Sequence, residues 1–277
     1  MSESVPKFEA SVDYVTLTLP ATAREISALR FRRHAEDALD DAGPMAERRG
    51  AQVLGYRGQK LGSVFYGARP GGWLFRSSGS GGNSDYCRDW PTDVRCTRID
   101  LQVTVWREPW QGDAARKMAA SAVAARDAGL MHRATRVCFY DGCGDGDSCY
   151  IGSRSSEQML RLYDKGKQSD ETRYNGSWRW EIEFKGERAD QAREALCEAP
   201  DAVQTIVGTV EDWLLSRGVG YGPGIGGAGG IRVVVPRGQD DDSARLDWLA
   251  RSVAPMLGRL IDRVGKDRVY SALSLDG

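Results

Sequence analysis

The chain holds only two histidines, His34 and His132, far apart in sequence and forming no HxH pair. A histidine-based metal site is therefore not expected, and any hard metal ion would fall to carboxylates. No run of about eighteen apolar residues occurs, and the opening MSESVPKFEASVDY has neither a basic start nor an apolar stretch. A cytoplasmic protein with no membrane partner is expected. The six cysteines, Cys87, Cys96, Cys138, Cys143, Cys149 and Cys197, include no CxxC pair, which argues against structural zinc, and they are expected to be reduced. Excess charge is missing too: 38 Lys and Arg stand against 39 Asp and Glu. Composition gives no general attraction to nucleic acid, so such binding would rest on local clusters such as Arg154, Arg161, Lys165 and Lys167. No internal repeat of solenoid spacing is present.

What is present is alternation. TRIDLQVTVW from Thr97, MLRLYDKGK from Met159 and WRWEIEFKG from Trp178 each place apolar and polar residues in turn, the period of a half-buried strand. Ile99, Leu101, Val103 and Val105 oppose Arg98, Asp100, Gln102 and Thr104. Leu160 and Leu162 oppose Arg161, Tyr163 and Lys165, and Trp180, Ile182 and Phe184 oppose Arg179, Glu181 and Glu183. Further strands are expected at Val12 to Leu19, around Gln52 to Tyr56, Gly62 to Tyr66 and Gly72 to Arg76, and at Ala134 to Tyr140 and Ser148 to Ile151. The turn between the last two, Asp141 to Asp147, superficially resembles a calcium loop, but its twelfth position is Gly152 rather than a bidentate Glu.

Helices are expected between Thr22 and Asp41, from Asp113 to Leu130, and at Arg188 to Glu198 and Ala202 to Ser216. GVGYGPGIGGAGG from Gly218 reads as a linker. The pattern is α+β: an antiparallel β-sheet with helices on one face and an open polar face, plus a helical C-terminal tail. The expected division is a domain over 1–217, a linker over 218–230, and an accessory segment over 231–277 with a strand at Ile231 to Val235 and helix from Asp242.

If the apolar faces share one core, the opposite faces also meet. That surface carries carboxylates, cations and a tyrosine, the inventory of metal-assisted phosphoryl transfer with a tyrosine nucleophile. Tyr163 needs help to ionise, since a free phenol has a pKa near 10. Arg161 and Lys165, two residues to either side, would stabilise the phenolate or hold a phosphate. Asp100 and Glu181 offer oxygens suited to Mg²⁺ or Mn²⁺, with Glu183 a third ligand or a general base. The plainer alternative is that these charges are cross-strand ion pairs. Trp106 and Trp178 are candidates for stacking bases at the sheet edge.

These segments resemble the conserved blocks of the rolling-circle replication initiators of the Rep trans, or replication initiation factor, family. TRIDLQVTV resembles that family's TRIDLAVDV, with Thr104 where the pattern often has a second aspartate. Tyr150-Ile151-Gly152-Ser153-Arg154-Ser155-Ser156 resembles its YIGSRxS element and leads into Arg161-Leu162-Tyr163-Asp164-Lys165, which matches RxYxK. Arg179 to Gly186 resembles RxExELKG. The likeness covers roughly Asp13 to Ser216. It implies a nicking and joining enzyme whose Tyr163 attacks DNA and keeps the 5′ end as a phosphotyrosine, with Asp100 and Glu181 binding metal. Implied partners are origin DNA, single-stranded or cruciform, a helicase and a polymerase of a bacterial host, and a second copy of the chain as a homodimer. The alternatives are a relaxase of a conjugative element and a non-catalytic module that binds single-stranded DNA.

Overall fold

The computed structural model describes residues 6–41, 48–61, 63–79, 85–106, 113–143, 145–227, 230–231, 254–266 and 268. Ten strands form one antiparallel sheet among the described residues, in the order β2-β3-β4-β5-β1-β6-β10-β9-β8-β7. They are β1 (Lys7–Pro20), β2 (Arg48–Val53), β3 (Tyr56–Leu61), β4 (Val64–Arg69), β5 (Gly72–Ser78), β6 (Arg95–Trp106), β7 (Val137–Tyr140), β8 (Ser148–Gly152), β9 (Gln158–Asp164) and β10 (Ser177–Lys185). The three alternating segments become neighbours, β6-β10-β9, at the middle of the sheet. Their apolar side chains Ile99, Leu101, Val103, Leu160, Leu162, Trp180, Ile182 and Phe184 lie in one core. Burying each contributes about 1.5–3 kcal/mol.

Helices α1 (Glu25–Asp41), α2 (Ala114–Asp127), α4 (Glu187–Glu198) and α5 (Ala202–Leu215) contribute buried residues to that same core, as the α+β reading requires. The buried side of α2 is almost all alanine, with Met118 the exception, so this helix can lie close to β7 and β8. Against α1, Phe31, Phe75 and Trp90 pack as tilted rings about 5 Å apart.

Four strands, not three, fill the region from Arg48 to Ser78. The expected strand Gln52 to Tyr56 runs across a turn at Leu54 and Gly55, both with positive φ, 50° and 81°, as a two-residue hairpin loop demands. The sulfurs of Cys87 and Cys197, 110 residues apart, are joined as a disulfide with their Cα atoms 5.3 Å apart, so the expectation that all six cysteines are reduced is corrected at this pair. The polar loop expected from Gln168 to Gly176 follows a single helical turn, α3 (Lys165–Gln168), and itself contains a 3₁₀ turn at Thr172–Tyr174.

The glycine-rich stretch is not a free linker. The N–H groups of Ile225, Gly226 and Gly227 donate to the Glu211 carboxylate at 2.8, 3.2 and 3.0 Å. Trp180 Nε1 donates to the carbonyl of Tyr221 at 2.9 Å. A Cβ on Gly227 would stand 2.3 Å from the Gly208 nitrogen, so glycine serves close approach to α5 here rather than flexibility. The chain divides into two compact units after Val233, beyond this stretch. In the second unit the described element is α6 (Ala254–Val264). The strand expected at Ile231 to Val235 lies outside the described residues from position 232 on, as does the tail before position 254.

Candidate active site

Strand register sets the polar face in rows. Glu9, Thr104, Arg179, Tyr163 and Ser148 form one; Ser11, Gln102, Glu181, Arg161 and Tyr150 the next; Tyr14, Asp100, Glu183, Met159 and Gly152 the third. β1 reaches all three because of a register shift between Val12 and Tyr14. That bulge lets Ser11 and Tyr14 face the same way and leaves Asp13 as the extra residue.

The Tyr163 hydroxyl donates to Glu181 Oε2 at 3.2 Å. The other Glu181 oxygen takes the Arg161 Nη2 hydrogen bond, and the Arg161 guanidinium lies 5.1 Å from the centre of the Tyr163 ring. Arg161 Nε is buried with no hydrogen-bond partner. A buried donor left unmade is costly, so this N–H marks where an incoming acceptor would be welcome. Burial first, and the Glu181 carboxylate second, push the Tyr163 phenol above its ordinary value, while Arg179 and Arg161 pull it down. The free protein thus holds Tyr163 neutral.

The carboxylates are held by cations. Arg98 forks Asp100, with Nε to Oδ1 at 2.9 Å and Nη2 to Oδ2 at 2.6 Å, and also reaches Glu183 Oε2 at 2.6 Å. Lys185 Nζ lies 2.6 Å from Glu183 Oε1. Arg179 donates to Thr104 Oγ1 at 2.8 Å and is ion-paired with Glu9 at 3.3 Å and Asp13 at 3.6 Å. Burial pushes the Asp100 carboxyl up to about 7 against the pull of Arg98, with Glu181 and Glu183 adding to the rise.

Three expectations change in detail. The polar face is free of the four long helices but not bare: Asp100, Thr104, Tyr163, Arg179, Glu181 and Glu183 are all buried, with Arg98, Arg161 and Arg179 paired across the layer. Lys165 is not on the strand. β9 ends at Asp164, whose side chain caps α3 by accepting the Lys167 N–H at 3.0 Å, and the Lys165 ammonium lies 4.9 Å over the Tyr174 ring. Asp100, Glu181 and Glu183 do come together, but among the described residues no group of three or more His, Cys, Asp or Glu side chains is placed to hold a metal ion. Their oxygens carry the right chemistry for Mg²⁺ or Mn²⁺, yet Arg98, Arg161, Lys185 and the Tyr163 hydroxyl already lie against them. As arranged, the residues do not fit the ion.

Trp178 is buried and joins the core. Trp106 stacks on Tyr174 at 6.1 Å, 13° from parallel, and its indole N–H donates to the Arg173 carbonyl. Arg98, Asp13 and Glu9 are members of the site that sequence reasoning did not select. Arg98 had a signal, since it sits two residues before Asp100 on the same strand face.

The replication initiation factor family matches residues 113–270, more than half of the chain. The chain belongs to that family. The match takes in Tyr163, Glu181 and Glu183, begins after the strand that carries Asp100, and runs past the glycine-rich stretch, whereas the motif likeness spans roughly Asp13 to Ser216. A putative DNA relaxase NicK of Bacillus subtilis (strain 168) is 30% identical over 144 residues, which cover 44% of this chain and 40% of the relative; the match spans about two fifths of that relative's length. The structure of a rolling circle replication initiator protein from Geobacillus stearothermophilus superposes with a TM-score of 0.53, covering 88% of this chain and 96% of that one at 16% identity. That likeness shows a shared fold.

Proposed function

We propose that this chain nicks and rejoins one strand of an origin DNA, with Tyr163 as the nucleophile. The observation that carries the reading is the Tyr163 hydroxyl hydrogen-bonded to Glu181, beneath an Arg161 guanidinium that has one N–H to spare. The Tyr163 oxygen attacks a backbone phosphorus and its proton passes to Glu181, within general-base reach. The bond from phosphorus to the 3′ oxygen breaks, and that oxygen takes up a proton as it leaves as a free hydroxyl. The product is a 5′-phosphotyrosine. Arg161, with Arg179 beside it, neutralises charge on the phosphate as it builds. The free phenol sits above its ordinary pKa, so Glu181 must take the proton as the bond to phosphorus forms. Rejoining is the same exchange in reverse.

The Mg²⁺ or Mn²⁺ implied by the motifs enters no step, because the carboxylates as arranged give it no seat. A 3′ hydroxyl suits extension by a host polymerase behind a helicase, and two copies of the chain would supply two tyrosines for the second transfer. The NicK relative favours a second reading with the same chemistry, the relaxase of a mobile element.

The test incubates wild type and Tyr163→Phe with 5′-blocked, 3′-labelled single-stranded origin DNA, with Mg²⁺, with Mn²⁺ and with chelator, and resolves the products on denaturing gels. Label should become covalently attached to wild-type protein alone. Label on Tyr163→Phe would move the nucleophile to Tyr150 or Tyr174. Tight binding with no label on either protein would mean a non-catalytic module.

A further inference from the structure

The β8–β9 connection, Gly152 to Glu157, separates two recesses. One, of about 400 Å³, is lined by His132, Arg136, Gln158, Arg188, Trp213 and Arg217 among others. The second, of about 460 Å³, is lined by Arg136, Tyr140, Tyr150, Arg154 and Met159 among others. They share Arg136, Gly152 and Ser153. Neither is lined by Tyr163 or by Asp100, Glu181 or Glu183.

The first recess gathers three arginines, of which Arg136 and Arg217 are in no ion pair with a described acid of its walls. Arg217 lies flat on Trp213, 4.0 Å from the ring centre, and donates to neutral acceptors: Gln158 Oε1, the Trp213 carbonyl and Ser216 Oγ, each at 3.1 Å. Burial and the nearby Arg188 charge lower its pKa, the signature of a guanidinium short of a counter-charge. Arg188 meets Glu157 at 3.1 Å, and Glu157 is the one acid in the lining. Arg136 is exposed. Half-buried arginines in a fixed fork suit a phosphate group.

The second recess links this place to the reaction. Tyr150 is paired across the strands with Arg161, whose guanidinium lies over Tyr163. Tyr140, 57% exposed, meets Tyr150 edge to face at 5.3 Å, leaving ring surface for bases. Gln158 stands on the helix-covered face of β9, bonded to Trp213 and Arg217, opposite to Tyr163 and about 17 Å along the strand from it. A DNA strand joining the two places therefore passes round the β8–β9 end and is longer than the roughly five nucleotides of the straight run.

We infer that the first recess binds a backbone phosphate of the DNA strand several nucleotides from the one Tyr163 attacks, held by Arg136, Arg188 and Arg217, with the strand crossing Tyr140 and Tyr150 on the way. The inference rests on the nicking reading for the course of the strand.

The test measures equilibrium binding of fluorescent single-stranded origin DNA to the full chain across a salt series, for wild type, Arg136→Gln, Arg188→Gln and Arg217→Gln, with Arg32→Gln on α1 as a remote control. Two lengths are used, one of about twenty nucleotides and one of about four that reaches only the Tyr163 end. Each recess variant should lower the slope of log affinity against log salt by roughly 0.7 on the long strand and leave the short strand and the control unchanged. Arg217→Gln also removes packing on Trp213, so Arg136→Gln and Arg188→Gln decide if it misfolds. An unchanged slope, or equal losses on both lengths, overturns the assignment. So does inorganic phosphate binding calorimetrically to wild type while the DNA slopes stay put, which would assign the recess to a small phosphate compound. Covalent adduct at saturating DNA reads the nicking chemistry separately, so its absence in wild type alongside a lowered slope would sink the chemistry and keep the recess.

Discussion

Two arginine-rich places on this sheet differ in what neutralises them. On the polar face, Arg98, Arg161 and Arg179 are set against Asp100, Glu183, Glu181, Glu9 and Asp13. At the β8–β9 edge, Arg188 meets Glu157 while Arg217 donates to neutral acceptors and Arg136 is exposed. Buried balanced pairs contribute little net stability but penalise any rearrangement that leaves a partner alone, so the first place holds its geometry. Unbalanced cations hold little and recruit an anion. Near-zero net charge is thus compatible with gripping DNA: attraction can sit at one edge while the chemistry sits in a layer whose arginines are already ion-paired.

Tyr163→Phe, which removes one hydroxyl, should cut adduct formation on the denaturing gel by roughly 10³-fold or more while DNA affinity stays within about twofold. Glu181→Gln takes away the proton acceptor and leaves Arg161 without its counter-charge. Nicking should fall by roughly 10²–10⁴-fold, and urea melts should show a loss of about 2 kcal/mol, less than for a fully buried pair because Arg161 is part-exposed.

Asp100 gives a pH test. Its carboxyl holds its proton up to about pH 7 in the folded chain but only to about pH 4 unfolded. Between those values the native state binds more protons, so this group makes stability fall as pH rises, by up to ~1.4 kcal/mol per pH unit. Asp100→Asn should flatten that part of the wild-type denaturation profile over pH 4–7. Next, Arg98→Gln uncovers Asp100 and Glu183. Calorimetric titration should show Mn²⁺ binding by the variant that wild type, with its carboxylates taken, does not show. The smallest effect is the salt-slope change at Arg136, which touches the edge alone.

The strands that build the face were legible because β6, β9 and β10 keep a period of two without interruption. Their register was not. Whether Arg98 also reaches Glu183 depends on which residues stand opposite, and the charges on a polar face look alike in sequence. Lys165 extends the period-two pattern on paper, but Asp164 caps a helical turn there and the chain leaves the sheet. Glycine misled twice: around Gly55 it closes a hairpin, and at Gly227 it permits contact with Gly208 where composition alone suggested a free linker. The Cys87–Cys197 pairing joins residues 110 apart, with no local pattern to announce it.

The central claim is that Tyr163 carries the DNA, and mass spectrometry of the protease-digested wild-type adduct reads it directly. The account predicts a nucleotide remnant on the peptide containing Tyr163 and on no other tyrosine. A remnant on Tyr150 or Tyr174 instead would contradict it.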